Sequence, residues 1–467
     1  MKKAVFCIAA SLVLPAQAVE VAIPQPAAEI IPDNVPRPSL MERLQASDEA
    51  IEVSREELLA NPEVLARLLD QAVITQDTNM VRALLPVYRE VPENVRDAQL
   101  VRFAEAALAS ADGNGKQAVA LYREMIAADP TLVPVRLHLA LALMNDHQDD
   151  AARDQFQRLR GEELPDDIRV LVDRSLETLQ QRRSWTFNAN AYYHHEANIN
   201  GAPKERERPW GNGKLTFPEQ KSANGIYLGV DAEKRFPLTG NLYASLSPSA
   251  NVDFYWDAKE FNDYRFRLGA GGGYQDARLD VSAEPYVSRR IYGDKGYSTT
   301  FGSTLAASYW TTPKWRLSSS LDINRTTHDD RKHLDGNRYF VGLNALYLYR
   351  PTTYFFGGVS AFDSNANDPS DAFVRYGLSL GWGQDWPHGI SSRTNLSYGR
   401  RIYDGADFFG IERKDNEYGI NLALWNRNWH FWGLTPKLNM SWGKTSSNHF
   451  YYDKNDVNAF IEISRTF

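Results

Sequence analysis

Apolar and polar positions alternate along this chain with two different periods, and the change from one to the other falls near Arg183. Between residues 46 and 183 the apolar positions follow a helical rhythm and the segment repeats itself. A spacing of 34 residues relates Ala72, Ala106 and Ala140, then Leu84, Ala118 and Ala152, then Tyr88, Tyr122 and Phe156, and then Val91, Met125 and Leu159. Small residues in the first two columns let paired helices approach, and the aromatic column fills the space between them. That is the period and residue logic of tetratricopeptide repeats. Asp112-Gly113-Asn114-Gly115 and Asn145-Asp146-His147 break the rhythm where the two helices of a unit would join. The stretch Asp166 to Arg183 predicts a closing helix over the last apolar face.

After Arg183 the period becomes two. In Leu242, Ala244, Leu246, Pro248, Ala250, Val252 and Phe254 one face is apolar, while the intervening residues are mostly polar. Similar ladders run through Tyr339 to Tyr347, Val374 to Trp382 and Val457 to Ile463. The segments are long for a soluble sandwich and suit tilted membrane strands. Short turns at 237–240, 311–314, 350–353 and 386–389 alternate with longer polar loops near 196–224, 327–337, 363–372, 402–415 and 445–455. Short connections on one side and long ones on the other are the habit of outer-membrane barrels. Trp185, Tyr309, Trp310, Tyr347, Tyr349, Trp382, Trp386 and Trp442 suit aromatic girdles at the two interfaces. The fold expected is an all-α tetratricopeptide-like domain followed by a 14-stranded antiparallel transmembrane β-barrel, residues 184–467. The even strand number puts the helical domain and Phe467 on the same, periplasmic side.

The chain start adds a compartment. Lys2 and Lys3, the apolar run from Ala4 to Leu14 and the small-x-small site Ala16-Gln17-Ala18 read as a signal peptide over residues 1–18. The only cysteine, Cys7, lies within it, so disulfide and thiolate chemistry drop out. Residues 19–45 are proline-rich and read as an extended linker. Mean hydropathy is −0.47, and no later stretch has the apolar length of a membrane helix. Twenty-three tyrosines and 11 tryptophans nevertheless crowd into the second half. A barrel reconciles the two, because only alternate residues face lipid. A net charge of −7 suggests no nucleic-acid partner.

Candidate chemistry is sparse. Asp231, Glu233, Asp280, Glu284, Asp322, Arg375 and Arg393 fall on the polar face of their strands and are assigned to the lumen, since a basic residue at the lipid midplane costs roughly 2–4 kcal/mol. His194 and His195 are neighbours on a strand and point to opposite faces, so they do not jointly hold a metal. His328 and His333 read as loop polarity. No catalytic constellation or cofactor site emerges. The helix Val135 to Met144 is apolar on more than one face, which aims Leu137, Leu141 and Met144 at the concave groove, joined by Leu100 and Phe103 of the preceding unit. This strip is the candidate partner-binding surface.

The order of signal, proline-rich linker, short repeat domain and barrel resembles the surface lipoprotein assembly modulators, the Slam family. The similarity covers essentially the whole mature chain. Trp185-Thr186-Phe187-Asn188-Ala189 through Asn198-Ile199-Asn200-Gly201-Ala202-Pro203 looks like that family's passage into the barrel. The final Phe467 resembles the signal read by the barrel-assembly machinery, although Arg465 stands where an aromatic is commoner. The resemblance implies a non-enzymatic, monomeric outer-membrane protein that delivers a client lipoprotein, or a secreted haem- or metal-acquisition protein, to the cell surface. Two other classes stay open: an exporter or porin for polysaccharide or solutes, and a surface adhesin. An exporter predicts a lumen of one charge sign, whereas the assigned lumen set mixes acids and bases.

Overall fold

The structure, a computed structural model, describes residues 55–203, 205–210, 212–429 and 435–466. The expected signal peptide with Ala16 and Ala18, the proline-rich linker and Phe467 lie outside the described residues.

Among the described residues, eight helices come first. They are α1 (Arg55–Ala60), α2 (Pro62–Ile74), α3 (Thr78–Arg89), α4 (Ala98–Ala111), α5 (Gly115–Ala128), α6 (Val133–Asn145), α7 (Asp149–Arg160) and α8 (Asp166–Arg182). The pairs α2–α3, α4–α5 and α6–α7 are the three repeat units, and α8 closes the stack. All twelve residues of the 34-residue columns are buried, none more than 8% exposed. The aromatic column is the most enclosed, with Tyr88, Tyr122 and Phe156 at 1% or less. The turn inside each unit is built alike. Gln76, Gly113 and His147 take positive φ, and the amides of Asp77, Asn114 and Gln148 reach back to the carbonyls of Ala72, Ala109 and Leu143 at 2.8–2.9 Å. Such six-to-one bonds end a helix at a left-handed residue. The Asp77 carboxylate then caps α3 by accepting from the Met80 amide at 3.0 Å.

The remainder is a barrel. Its strands are β1 (Thr186–Glu196), β4 (Ala223–Pro237), β5 (Leu242–Tyr255), β6 (Asp263–Gln275), β7 (Leu279–Tyr292), β8 (Lys295–Thr312) and β9 (Trp315–His328). They continue as β10 (Gly336–Arg350), β11 (Thr353–Ala366), β12 (Phe373–Asp385), β13 (Ile390–Ala406), β14 (Glu412–Asn426), β15 (Thr435–Ser447) and β16 (Lys454–Thr466). Fourteen strands close on themselves, each antiparallel to its sequence neighbour, with β1 against β16. A two-stranded hairpin, β2 (Glu207–Trp210) and β3 (Gly213–Thr216), stands in the first long loop. The sequence alternation there was too short to announce it.

The alternation of connections has two departures, one of them on the helical side, where β14 and β15 are joined across residues 427–434. On the side away from the helices, β7 and β8 join through Gly293 and Asp294 alone, both at positive φ, which is the geometry of a tight hairpin turn. The loops expected at 363–372 and 402–415 are shorter, since β11 runs to Ala366, β13 to Ala406 and β14 starts at Glu412. Gly271 and Gly273 sit where β6 meets β7. A Cβ on either would lie 2.2 Å from a β7 carbonyl, so only glycine permits this approach.

Candidate functional site

The outer wall follows from period two. Leu343, Val359, Leu380 and Leu396 point outward and are each at least half exposed in the bare chain, a face that water would disfavour and lipid accepts. Near the helical end of the barrel, Trp315 stacks on Tyr347 at 4.5 Å and Trp382 meets Trp386 at 5.9 Å, a girdle at the periplasmic interface. Two expected girdle residues sit elsewhere. Trp310 lies beside Arg316, whose guanidinium is 5.8 Å from its ring, because strand neighbours point to opposite faces and Tyr309 takes the outward one. Trp442 is mid-strand, opposite Ile420 and Val457.

The lumen is lined by paired charges of both signs. Arg235 donates to Glu233 at 2.7 Å and to Asp280 at 3.0 Å. Arg267 donates to Glu284 at 3.0 Å, and the Tyr286 and Thr304 hydroxyls donate to Asp322. Arg375 donates to Glu417 at 2.8 Å, with Arg401 on the other carboxylate oxygen at 2.8 Å. Arg393 lies 4.6 Å over the Phe356 ring. Asp231 is on the same inward face, in register with Asn188 and Ser249. Pairing offsets the cost of holding these charges in a narrow interior. It also stiffens the wall, because all of these bonds except Arg235–Glu233 link one strand to another.

At the periplasmic end the helical domain touches the barrel through its inter-helix turns. Asn241 in the β4–β5 turn donates to the Asp146 carbonyl, and at 2.9 Å to the Gln275 carbonyl. Lys116, in the first turn of α5, lies 3.9 Å from Asp276 and 4.9 Å over the Tyr274 ring. Hydrogen bonding to the Tyr274 hydroxyl, more than the nearby carboxylates, raises the Lys116 ammonium above its ordinary range. Burial pushes the Asp276 carboxyl up, but the Arg278 and Leu279 amides and the Tyr274 hydroxyl hold it below its ordinary value. His147 is kept from protonating first by burial and then by Arg182. Arg182, in the last turn of α8, donates to Asp149 at 2.8 Å and to the Met144 carbonyl at 2.9 Å. Only three residues separate α8 from β1, so the repeat stack and the barrel share a short, anchored junction.

The candidate partner-binding strip is divided by this packing. Leu137, Leu141 and Met144 are half-buried along α6. Leu100 and Phe103 instead belong to the core, 8% and 5% exposed. Phe103 packs edge-on against His138 at 5.1 Å and Tyr122 at 6.1 Å. The helical period alone cannot say which side of α4 faces the neighbouring unit, and the inter-unit packing turns these two inward. His138, expected from no motif, is the polar member of that aromatic cluster. Burial pushes its pKa down to about 4.

The histidine pairs stay apart. His194 stacks on Tyr255 at 5.0 Å, while His195 faces Asn224 at 2.9 Å on the other side of β1. His328 shares a hydrogen bond with Asp335 at 3.1 Å. Among the described residues no group of three or more His, Cys, Asp or Glu side chains is arranged to hold a metal ion.

Comparison with known proteins agrees with both halves of this architecture. The sequence profile of the surface lipoprotein assembly modifier family matches residues 185–467, and that of its N-terminal tetratricopeptide repeats matches residues 51–156. Surface lipoprotein assembly modifier 1 of Haemophilus influenzae is 36% identical over 425 residues, covering 89% of this chain and 87% of that protein. Surface lipoprotein assembly modifier 1 of Neisseria meningitidis serogroup B is 35% identical over 447 residues, covering 94% and 90%. The hemophilin secretion modulator of Acinetobacter baumannii is 23% identical over 428 residues, covering 86% of each. With a closed 14-stranded barrel, a buried 34-residue repeat and these matches over nearly its whole length, the chain belongs to the surface lipoprotein assembly modifier family and sits in the outer membrane.

Proposed function

We propose that this protein delivers a partner lipoprotein or secreted protein across the outer membrane to the cell surface, acting as an assembly factor without catalysis. The observation that carries this reading is the whole-length match to relatives named as assembly modifiers and as a secretion modulator. The architecture supports a division of labour. The repeat stack, placed at the periplasmic mouth, captures the client along the half-buried strip of Leu137, Leu141 and Met144 on α6. The barrel then supplies the route. Outer-membrane lipids surround its apolar wall, a single copy suffices, and the C-terminal Phe467 helps the barrel-assembly machinery insert it. Mixed, paired luminal charges argue against a conduit for a polymer of one charge sign.

The test is surface display. An epitope-tagged lipoprotein encoded beside this chain's gene is co-expressed with it in a laboratory host. Protease added to intact cells should then remove the tag, and deletion of this chain should protect it. Tag exposure that ignores the deletion, together with steady ion conduction by the purified barrel, would replace delivery with solute export.

A further inference from the structure

The barrel closes unevenly. β1 pairs with β4 along its full length, from Thr186↔Glu233 to Glu196↔Ala223. β16 pairs with β15 from Ser464↔Thr435 to Lys454↔Thr445. Across the seam between β1 and β16, register holds only from Asn188↔Thr466 to Tyr192↔Glu462. That is five pairs, whereas each of the other thirteen junctions of the wall has at least eleven. Continuing the same register would set Tyr193 opposite Ile461 and Glu196 opposite Asn458. Among the described residues these pairings do not form, so the outer half of the seam has an open backbone edge on each side.

The gap is bounded above and below. Below it are the five pairs. Above it the loops are bridged by rings: Phe217, just beyond β3, lies 6.0 Å from Phe450 and 5.7 Å from Tyr451, and the Arg208 guanidinium sits 4.0 Å over Phe450. At its lower margin Tyr192 stacks on Phe460 at 4.3 Å, which keeps the two strands close. Unpartnered backbone groups at membrane depth are costly, and an open strand edge is a template for another strand. The side chains define that strand. On the outer face Val457 and Ile461 are 72% and 62% exposed. On the lumen face stand Glu196 and Asp456, against Lys454, which lies 3.5 Å from Asp456.

We propose that the outer half of the β1–β16 seam is a lateral docking site for an extended, amphipathic β-strand of the exported protein. The strand adds to the open edges by backbone hydrogen bonding, its apolar face toward lipid and its basic or hydrogen-bond-donating face toward the seam carboxylates. This rests on the delivery function proposed above, and assigns the client's path to the wall rather than to the ion-paired lumen.

The seam can be tied shut. His195 and Ala459 would face each other on the outer side if the register continued, so His195→Cys with Ala459→Cys should zip the gap on oxidation. Leu228→Cys with Val252→Cys, a pair already in register between β4 and β5, is the control. With the tagged lipoprotein of the display experiment as probe, oxidation should abolish display by the seam variant, reductant should restore it, and the control should keep display throughout. Full display by the oxidised seam variant overturns the proposal. A photo-crosslinking residue at Val457 should capture the tagged lipoprotein, and one at Val359 in the paired wall should not. Capture at Val457 of a second copy of this chain, or of lipid alone, also overturns it. Absence of display by the unaltered chain is a different failure, that of the delivery reading itself.

Discussion

A histidine in the aromatic heart of a periplasmic domain makes that domain sensitive to acid. His138 is 7% exposed and sits between the Phe103 and Tyr122 rings. In the folded chain it stays neutral down to about pH 4, whereas the unfolded chain protonates it near 6.5. Between those values the unfolded state binds the additional proton, so stability falls as pH falls from about 6.5 toward 4. The loss is at most on the order of 3 kcal/mol across that window. Denaturant unfolding of the full-length protein, followed by the helical circular-dichroism signal, should show the midpoint dropping with acid. His138→Phe should flatten that slope. An equal slope in the variant would assign the acid sensitivity to other groups.

Among the elements, α4 and α6 answer differently to the same substitution. Phe103 fills the space between repeat units, and an aspartate there buries an unpaired carboxylate at a cost of several kcal/mol. Phe103→Asp should therefore lose helical signal and, with it, client delivery. Leu141 is only half-buried on α6, so Leu141→Asp should keep the helical signal and still lower surface display of the tagged lipoprotein. Normal display by Leu141→Asp would remove α6 from the capture surface. The 34-residue columns were readable beforehand because each column recurs in the same chemical class. The orientation of Leu100 and Phe103 was not, because an alanine-rich helix offers two nearly equal apolar faces and only the neighbouring unit chooses between them.

At the scale of the whole molecule, the two ends of the barrel are unlike. The helical domain and the β8–β9 turn lie at one end, and the loop 367–372 lies at the other. An epitope inserted near Asp368 should bind antibody on intact cells, while one near Thr312 should bind only after the outer membrane is opened. Antibody binding to both on intact cells, or the reverse pattern, would contradict the strand register. The docking of Asn241 on Asp146 and of Lys116 near Asp276 ties the repeat stack to two periplasmic turns, so a client held on α6 is held close to the barrel.

By itself the sequence determined the order of repeat domain and barrel, the repeat, the strand count and which charges face inward. Each of these rests on a local period: 34 residues for the repeat, two for the strands, and a heavy cost for charge against lipid. The tertiary structure decided three things that no local period encodes. It turned Leu100 and Phe103 into the core, seated the inter-helix turns on the barrel's rim, and left β1 and β16 paired over only part of their length. The physical reason is common to all three. Each depends on groups far apart in the chain meeting in space, and the seam most of all, since its two strands stand at opposite ends of the barrel sequence and close only after every other strand is in place.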